Sequence, residues 1–191
     1  MAYGFARTRR LAPLLAAAAI AGCGSQAHGG GPTAAQAAAA LRGSPAPLAA
    51  VHRQADELLA GGVRAFDARL RALRGYPVVV MQWSSWCDGC EADLGYFQRI
   101  SAQLGRRVAF VGVDADDTVG AARRALGKHP VSFPSYLDHD RAIAYAISPE
   151  WSQYIPITFF YRRGGGTPEA YPGPFPSLAF LRSEIRTYTG V

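Results

Sequence analysis

From residue 63 onward the apolar positions alternate between a helical period and unbroken runs. Val63, Phe66, Leu70 and Leu73 recur at spacings of three and four, which predicts an amphipathic helix over 63–73 that stops at Gly75. Residues 77–83 form an apolar, β-branched run without polar alternation, the pattern of a central strand buried on both faces. After Cys87 the helical period returns. Leu94, Phe97, Ile100 and Leu104 share a face, and Gly105 ends it. Val108 to Val113 predicts a second buried strand, and Asp114, Asp116, Asp117 and Thr118 supply a turn and a cap for a helix over 117–128. A short extended piece, Phe133 to Leu137, and a short helix, Arg141 to Ile147, follow. Pro156 opens a third strand, Ile157 to Tyr161, and Arg162 to Gly166 turn the chain. Thr167 to Tyr171 then return as an antiparallel neighbour. Pro176 starts a last helix with Leu178, Leu181, Ile185 and Tyr188 on one side. This order predicts an α/β domain over 51–191, a central mixed β-sheet flanked by helices.

Upstream the pattern weakens. Residues 51–60 read as a short helix or extended lead-in closed by Gly61-Gly62. Residues 24–50 are rich in Gly, Ala, Ser, Gln and Pro, and Gly43-Ser44-Pro45-Ala46-Pro47 interrupts the helical propensity of Ala34–Ala40. That composition predicts a flexible tether over 23–50, with a helix packed on the domain as the competing reading. Residues 1–22 combine Arg7, Arg9 and Arg10 with a short apolar stretch, the layout of an export signal. The stretch is too short to span a membrane comfortably, which takes about 20 residues. Ile20-Ala21-Gly22-Cys23 resembles the lipobox of bacterial lipoproteins, which implies a lipid on Cys23 and cleavage before it. An ordinary secretory signal is the alternative, and Thr8-Arg9-Arg10 carries a faint twin-arginine likeness.

Composition changes this picture little. The chain has 191 residues and is 49% apolar, enough for one domain with a real core. Removing the three signal arginines takes the formal charge from +6 to +3. No basic run interleaved with aromatics points to nucleic acid. With Cys23 lipidated, Cys87 and Cys90 remain as a pair, and outside the cytoplasm a disulfide between them persists.

Trp86-Cys87-Asp88-Gly89-Cys90 places two cysteines where a strand turns into a helix, a thioredoxin-like redox motif. Together with Leu73–Val80, Phe110–Asp114 and Ile155–Phe160, it resembles the membrane-anchored thiol-disulfide oxidoreductases of the TlpA/ResA type. The resemblance covers about residues 58–188 and implies a thioredoxin-like fold with that group's extra β-α insertion, here Gly112 to Asp138. It implies protein thiols or disulfides as substrates, a membrane redox partner that recycles the pair, no cofactor, and a place on the extracytoplasmic face of the cell membrane. Cytochrome c maturation is among the processes it suggests. Cys87 becomes the attacking sulfur and Cys90 the resolving one. Trp86 becomes a wall of the site. Ile155 and Pro156, the latter in a cis bond, become an edge on which a partner chain pairs.

Asp93 stands where related enzymes often have Glu, and two readings remain: proton transfer near Cys90, or acidity that complements the helix dipole with Asp88 and Glu91. Two departures bear on the chemistry. Asp88-Gly89 replaces a pair whose second member is more often proline, so the turn is expected to be looser and Asp88 to oppose the Cys87 thiolate. Met81 stands where thioredoxin has a buried acid. Two rival functions use the same cysteines: copper or haem handover, and a redox-inert binding domain. Structural zinc would need two more ligands, and His28, His52, His129 and His139 are scattered.

Overall fold

The computed structural model describes residues 30–191, with Met1 and Gly4. Cys23, His28 and nearly all of the expected signal lie outside the described residues.

The two unbroken apolar runs form the middle of a six-stranded sheet ordered β1-β4-β3-β2-β5-β6. These strands are β1 (Leu58–Leu59), β2 (Val78–Trp83), β3 (Ala109–Ala115), β4 (Ser135–Asp138), β5 (Ile157–Tyr161) and β6 (Glu169–Pro172). Every residue of β2, β3 and β5 is buried, whereas β6 at the sheet edge is exposed or half-buried. β1, β4, β3 and β2 run parallel, and β5 and β6 are antiparallel to their neighbours. In register, Trp83 stands beside Asp114 and Gln82 beside Ile157. The C-terminal ends of β2 and β3 and the start of β5 therefore meet at one edge, which is where the motif emerges.

The helices are α1 (Ala34–Ala40), α2 (Ala46–His52), α3 (Gly62–Ala72), α4 (Asp88–Leu104), α5 (Val119–Lys128), α6 (Ala142–Ile147) and α7 (Leu178–Thr189). α4 packs with α1 and α7, and α3 packs with α6. The predicted faces are used: Leu94, Phe97 and Ile100 of α4 are at most 1% exposed, and Leu181 and Ile185 of α7 are fully buried. Phe97 meets the rings of Phe110, Phe133 and Phe175 at 6.2–6.3 Å. Helix starts shift by one or two residues to the side chains that cap them. Thr118 accepts the N–H of Ala121 ahead of α5, and Ser177 that of Phe180 ahead of α7.

The expectation of a flexible tether through residue 50 is corrected from Gly31 onward. Residues 31–191 form one compact unit. Thr33 and Gln36 cap α1 reciprocally. The Pro-rich stretch ends the first helix as expected, since α1 stops at Ala40, but it also starts a second, with Pro47 in the first turn of α2, where a missing N–H costs nothing. Leu41 is 6% exposed, and Leu48 and Val51 are completely buried. The tie is polar as well. Gln98 on α4 donates to Pro32 O at 3.0 Å, and the His52 ring lies 3.1 Å from Ser132 O and 3.0 Å from Gly105 O.

Candidate active site

Cys87 is the N-cap of α4, and its Sγ accepts the backbone N–H of Cys90 at 3.1 Å. Cys87 and Cys90 form a disulfide. The two sulfurs are not equivalent: Cys87 is half-buried, whereas Cys90, one turn into the helix, has no exposed surface. When the pair is reduced, unpaired N–H groups and the helix dipole stabilise negative charge at Cys87. An accessible thiolate ahead of a buried partner thiol is the arrangement that thiol-disulfide exchange requires.

The Ile155–Pro156 peptide bond is cis. The motif and this proline adjoin: a Cβ on Gly89 would lie 3.6 Å from Pro156 Cδ. It would also lie 3.2 Å from Pro174 Cβ, so the space that the glycine leaves is occupied from outside the motif. Pro174 thus packs where a side chain at 89 would go. Asp88 is exposed and contributes to the acidic first turn of α4.

The walls of the site come from three loops. Trp86 is 56% exposed, yet its indole N–H donates to Asp116 O at 3.0 Å, which holds the ring at the surface. Trp83, by contrast, is a core residue whose indole donates to Ser135 Oγ. On the other side Trp151 and Tyr154 pack edge to face at 5.1 Å, with Tyr154 exposed. The segment leading into Ile155 is held from beneath by Gln82. Its side-chain amide donates to Ser152 O at 3.2 Å and Tyr154 O at 3.1 Å. Arg141 spans both walls, donating to Gln153 O at 3.2 Å and pairing with Asp116 at 3.4 Å.

Two buried acids lie close behind. Asp93, three residues after Cys90 on the same helical face, has no exposed surface and accepts the N–H of Phe175 at 2.9 Å. Burial pushes its carboxyl up to about 7 against the pull of that hydrogen bond. Asp114, beside Trp83, is pushed up to about 8, first by burial and then by the charge of Asp117. Met81 is buried in β2. Gln82, Asp114, Asp117, Arg141 and Pro174 were not singled out from the sequence as site residues. A polar residue inside an apolar run was the only local signal, and it marks Gln82 alone. Among the described residues, no three His, Cys, Asp or Glu side chains gather to hold a metal ion. His129 lies 3.7 Å from Glu91, which also pairs with Lys128.

Comparison with known proteins fits this geometry. A secreted Mycobacterium tuberculosis disulfide oxidoreductase homologous to E. coli DsbE superposes with a TM-score of 0.54 at 26% identity, covering 61% of this chain and 85% of that one. M. tuberculosis DsbF, solved in mixed oxidised and reduced forms, gives 0.54 at 25% identity, covering 62% and 85%. The thiol-disulfide oxidoreductase ResA of Oceanobacillus iheyensis is 28% identical over 108 residues, 55% of this chain and 54% of that one. The soluble secreted antigen MPT53 of M. tuberculosis is 30% identical over 94 residues, 49% and 52% of the two chains. The match thus spans about half the length of these curated relatives. No helix among the described residues is long and apolar enough to cross a membrane. The model of the AhpC/TSA family matches residues 51–166, from the end of α2 through β5, and with that match the thioredoxin-like domain is placed: the chain belongs to the AhpC/TSA family.

Proposed function

We propose that this protein is an extracytoplasmic thiol-disulfide oxidoreductase acting on protein substrates through Cys87 and Cys90. The observation that carries the proposal is the disulfide at the N-terminus of α4, with its half-buried outer sulfur and fully buried inner one. In the reductive direction the Cys87 thiolate attacks a substrate disulfide, forming a mixed disulfide and releasing one substrate thiolate. The Cys90 thiolate then attacks Cys87 Sγ, which restores the Cys87–Cys90 bond and frees the second substrate thiolate. Two electrons leave the protein, and a membrane dithiol donor returns them. The same steps run backwards oxidise a substrate dithiol. Trp86, Ile155 and Pro156 form the face against which a substrate chain lies, with the Ile155 backbone offered as a strand edge. Asp93 exchanges the proton of the Cys90 thiol. The Ile20–Cys23 tetrapeptide supports a lipid on Cys23, which would hold the domain at the membrane, and a secreted relative supports the compartment. A role in cytochrome c maturation belongs to the reductive direction.

The test is a trap. In the full chain, Cys90→Ala should accumulate mixed disulfides with exported proteins that vanish when Cys87 is also replaced. Absence of Cys87-dependent adducts would refute the proposal. Equilibration of the wild-type pair with a redox buffer sets the direction: a potential near about −270 mV suits a reductant and one near about −120 mV an oxidant. Mass spectrometry of the membrane fraction should find acyl chains on Cys23, and an unmodified exported protein removes the anchor.

A further inference from the structure

Asp114 is 1% exposed, and neither of its carboxyl oxygens has a hydrogen-bond partner among N–H and O–H donors. An ionised carboxylate so placed carries a large desolvation penalty with nothing to offset it. The group in contact with it is a second carboxyl, that of Asp117. Asp117 has the opposite surroundings. Its Oδ2 accepts the backbone N–H of Ser85 at 2.6 Å, and its Oδ1 accepts that of Thr118 at 2.7 Å. Two carboxyls in contact do not both ionise readily, and of the two Asp117 is the one that accepts N–H donors.

Of the other charged groups on neighbouring elements, Asp138, Asp116 and Lys128 are engaged elsewhere, and Asp117 is the charge that acts on Asp114. From β4, Asp138 accepts the N–H groups of Ile143 and Ala144 at 2.8 and 2.9 Å. From the turn after β3, Asp116 pairs with Arg141. Arg124 and Lys128 of α5 line a cavity beside Ser84 and Ser85 with Glu91 of α4, and Lys128 pairs with that Glu91. From β2, the Trp83 indole is committed to Ser135.

We propose that Asp114 and Asp117 share one proton and act as a positioning pair for the nucleophile. Protonated Asp114 donates to Asp117, and Asp117 in turn holds the backbone of Ser85, two residues ahead of Cys87. The inference rests on the reading of Cys87 as the attacking sulfur. The pair is not catalytic: it touches neither sulfur. It fixes the strand-to-helix turn on the Cys87 side, with the Ser84 hydroxyl donating to Ala115 O as a second tie from the same turn to β3. Loss of the shared proton sets two anions against each other and frees Ser85.

The experiment uses the full chain with carbon-13 labelled aspartate, in wild type, Asp114→Asn and Asp114→Ala. Asparagine keeps a donor to Asp117 at every pH, and alanine removes it. Site-resolved carboxyl shifts should show Asp114 neutral at neutral pH. Exchange of the Ser85 amide should be about tenfold faster or more in the alanine variant, with asparagine restoring protection. In reduced wild type, alkylation of Cys87 against pH should carry a step that follows the Asp114 titration, in addition to the thiol's own. Asp114→Asn should lack that step. A packing role alone would lower stability without moving the profile. Asp114 ionised at neutral pH, or superimposable alkylation profiles of wild type and Asp114→Asn, overturns the inference. If the variants do not fold, the labelled wild type decides through the Asp114 carboxyl and Ser85 amide pH courses. Failure of the wild-type pair to exchange with oxidised and reduced glutathione would instead refute the redox function, leaving the carboxyl result intact.

Discussion

The backbone N–H of Phe175 donates to Asp93 Oδ1 at 2.9 Å, so the loop ahead of α7 is tied to the helix that carries both cysteines. The other carboxyl oxygen, Oδ2, is buried with no partner. One hydrogen bond does not offset full burial, and the carboxyl is pushed up to about 7 from 3.8.

Stability should therefore fall as pH rises. Folded Asp93 keeps its proton to about pH 7, whereas the unfolded chain releases it near 3.8. Between these values the folded state binds more protons, so the stability present below the lower value is lost as pH rises through the upper one. The loss from this group is at most about 4 kcal/mol. Asp56, pushed up to about 6 by burial, acts in the same sense over a narrower range. Asp93→Asn should become progressively more stable than wild type between pH 4 and 8 in urea denaturation. Parallel curves for the two proteins would refute the shift.

The same substitution separates proton transfer from dipole complementarity. If Asp93 takes the Cys90 proton, Asp93→Asn should slow release of the mixed disulfide by about 100-fold at neutral pH. Alkylation of Cys87 should stay unchanged, because Asp93 follows Cys90 by three residues on α4 whereas Cys87 is the N-cap. Stopped-flow release measured across pH should lose its dependence near 7 in the variant. If Asp93 only complements the dipole, Cys87 reactivity changes and the release step does not.

Gly89 and Pro174 are a steric pair. A Cβ at 89 would stand 3.2 Å from Pro174 Cβ and 3.3 Å from Pro174 Cγ, closer than packed carbons sit comfortably. Gly89→Ala should cost about 1–2 kcal/mol and loosen the loop that reaches Asp93 through Phe175. Pro174→Gly, which removes both contacting carbons, should relieve most of that cost in the double variant, a coupling that a double-mutant cycle by urea denaturation measures. Additive costs would show that the contact does not govern residue 89.

What the residues announced, and what they did not, divides along physical lines. β2, β3 and α4 were legible because burial on both faces of a strand, or on one face of a helix, writes a periodic pattern into adjacent residues. Cys87 and Cys90 were legible because their chemistry depends on local spacing. Pro174 lies 85 residues after Gly89, and only the return of the chain through β5 and β6 brings them together. Asp114 looked like one more turn-forming aspartate, since nothing local distinguishes a buried carboxyl from a solvated one. The N-terminal helices were hidden for another reason. Leu41 caps the end of α1, and Leu48 and Val51 lie on α2 beyond Gly43 to Pro45, so no single periodic window contains them.

Those three residues give the last prediction. Leu48 and Val51 are fully buried, and the His52 ring bridges carbonyls of the α4–β3 turn and of the segment before β4. If residues 31–50 were only a tether, substitutions there would leave the domain's stability unchanged. With the helices packed on the domain, Leu48→Ala should cost about 2–4 kcal/mol. His52→Ala should cost about 1–3 kcal/mol by removing the ring and the N–H that one of the two carbonyls accepts. A chain shortened to begin at Val51 should unfold at lower urea than one beginning at Gly31, because Leu41 and Leu48 leave apolar surface of α4 and β3 uncovered. Equal urea midpoints for the two chains would return the segment to a tether.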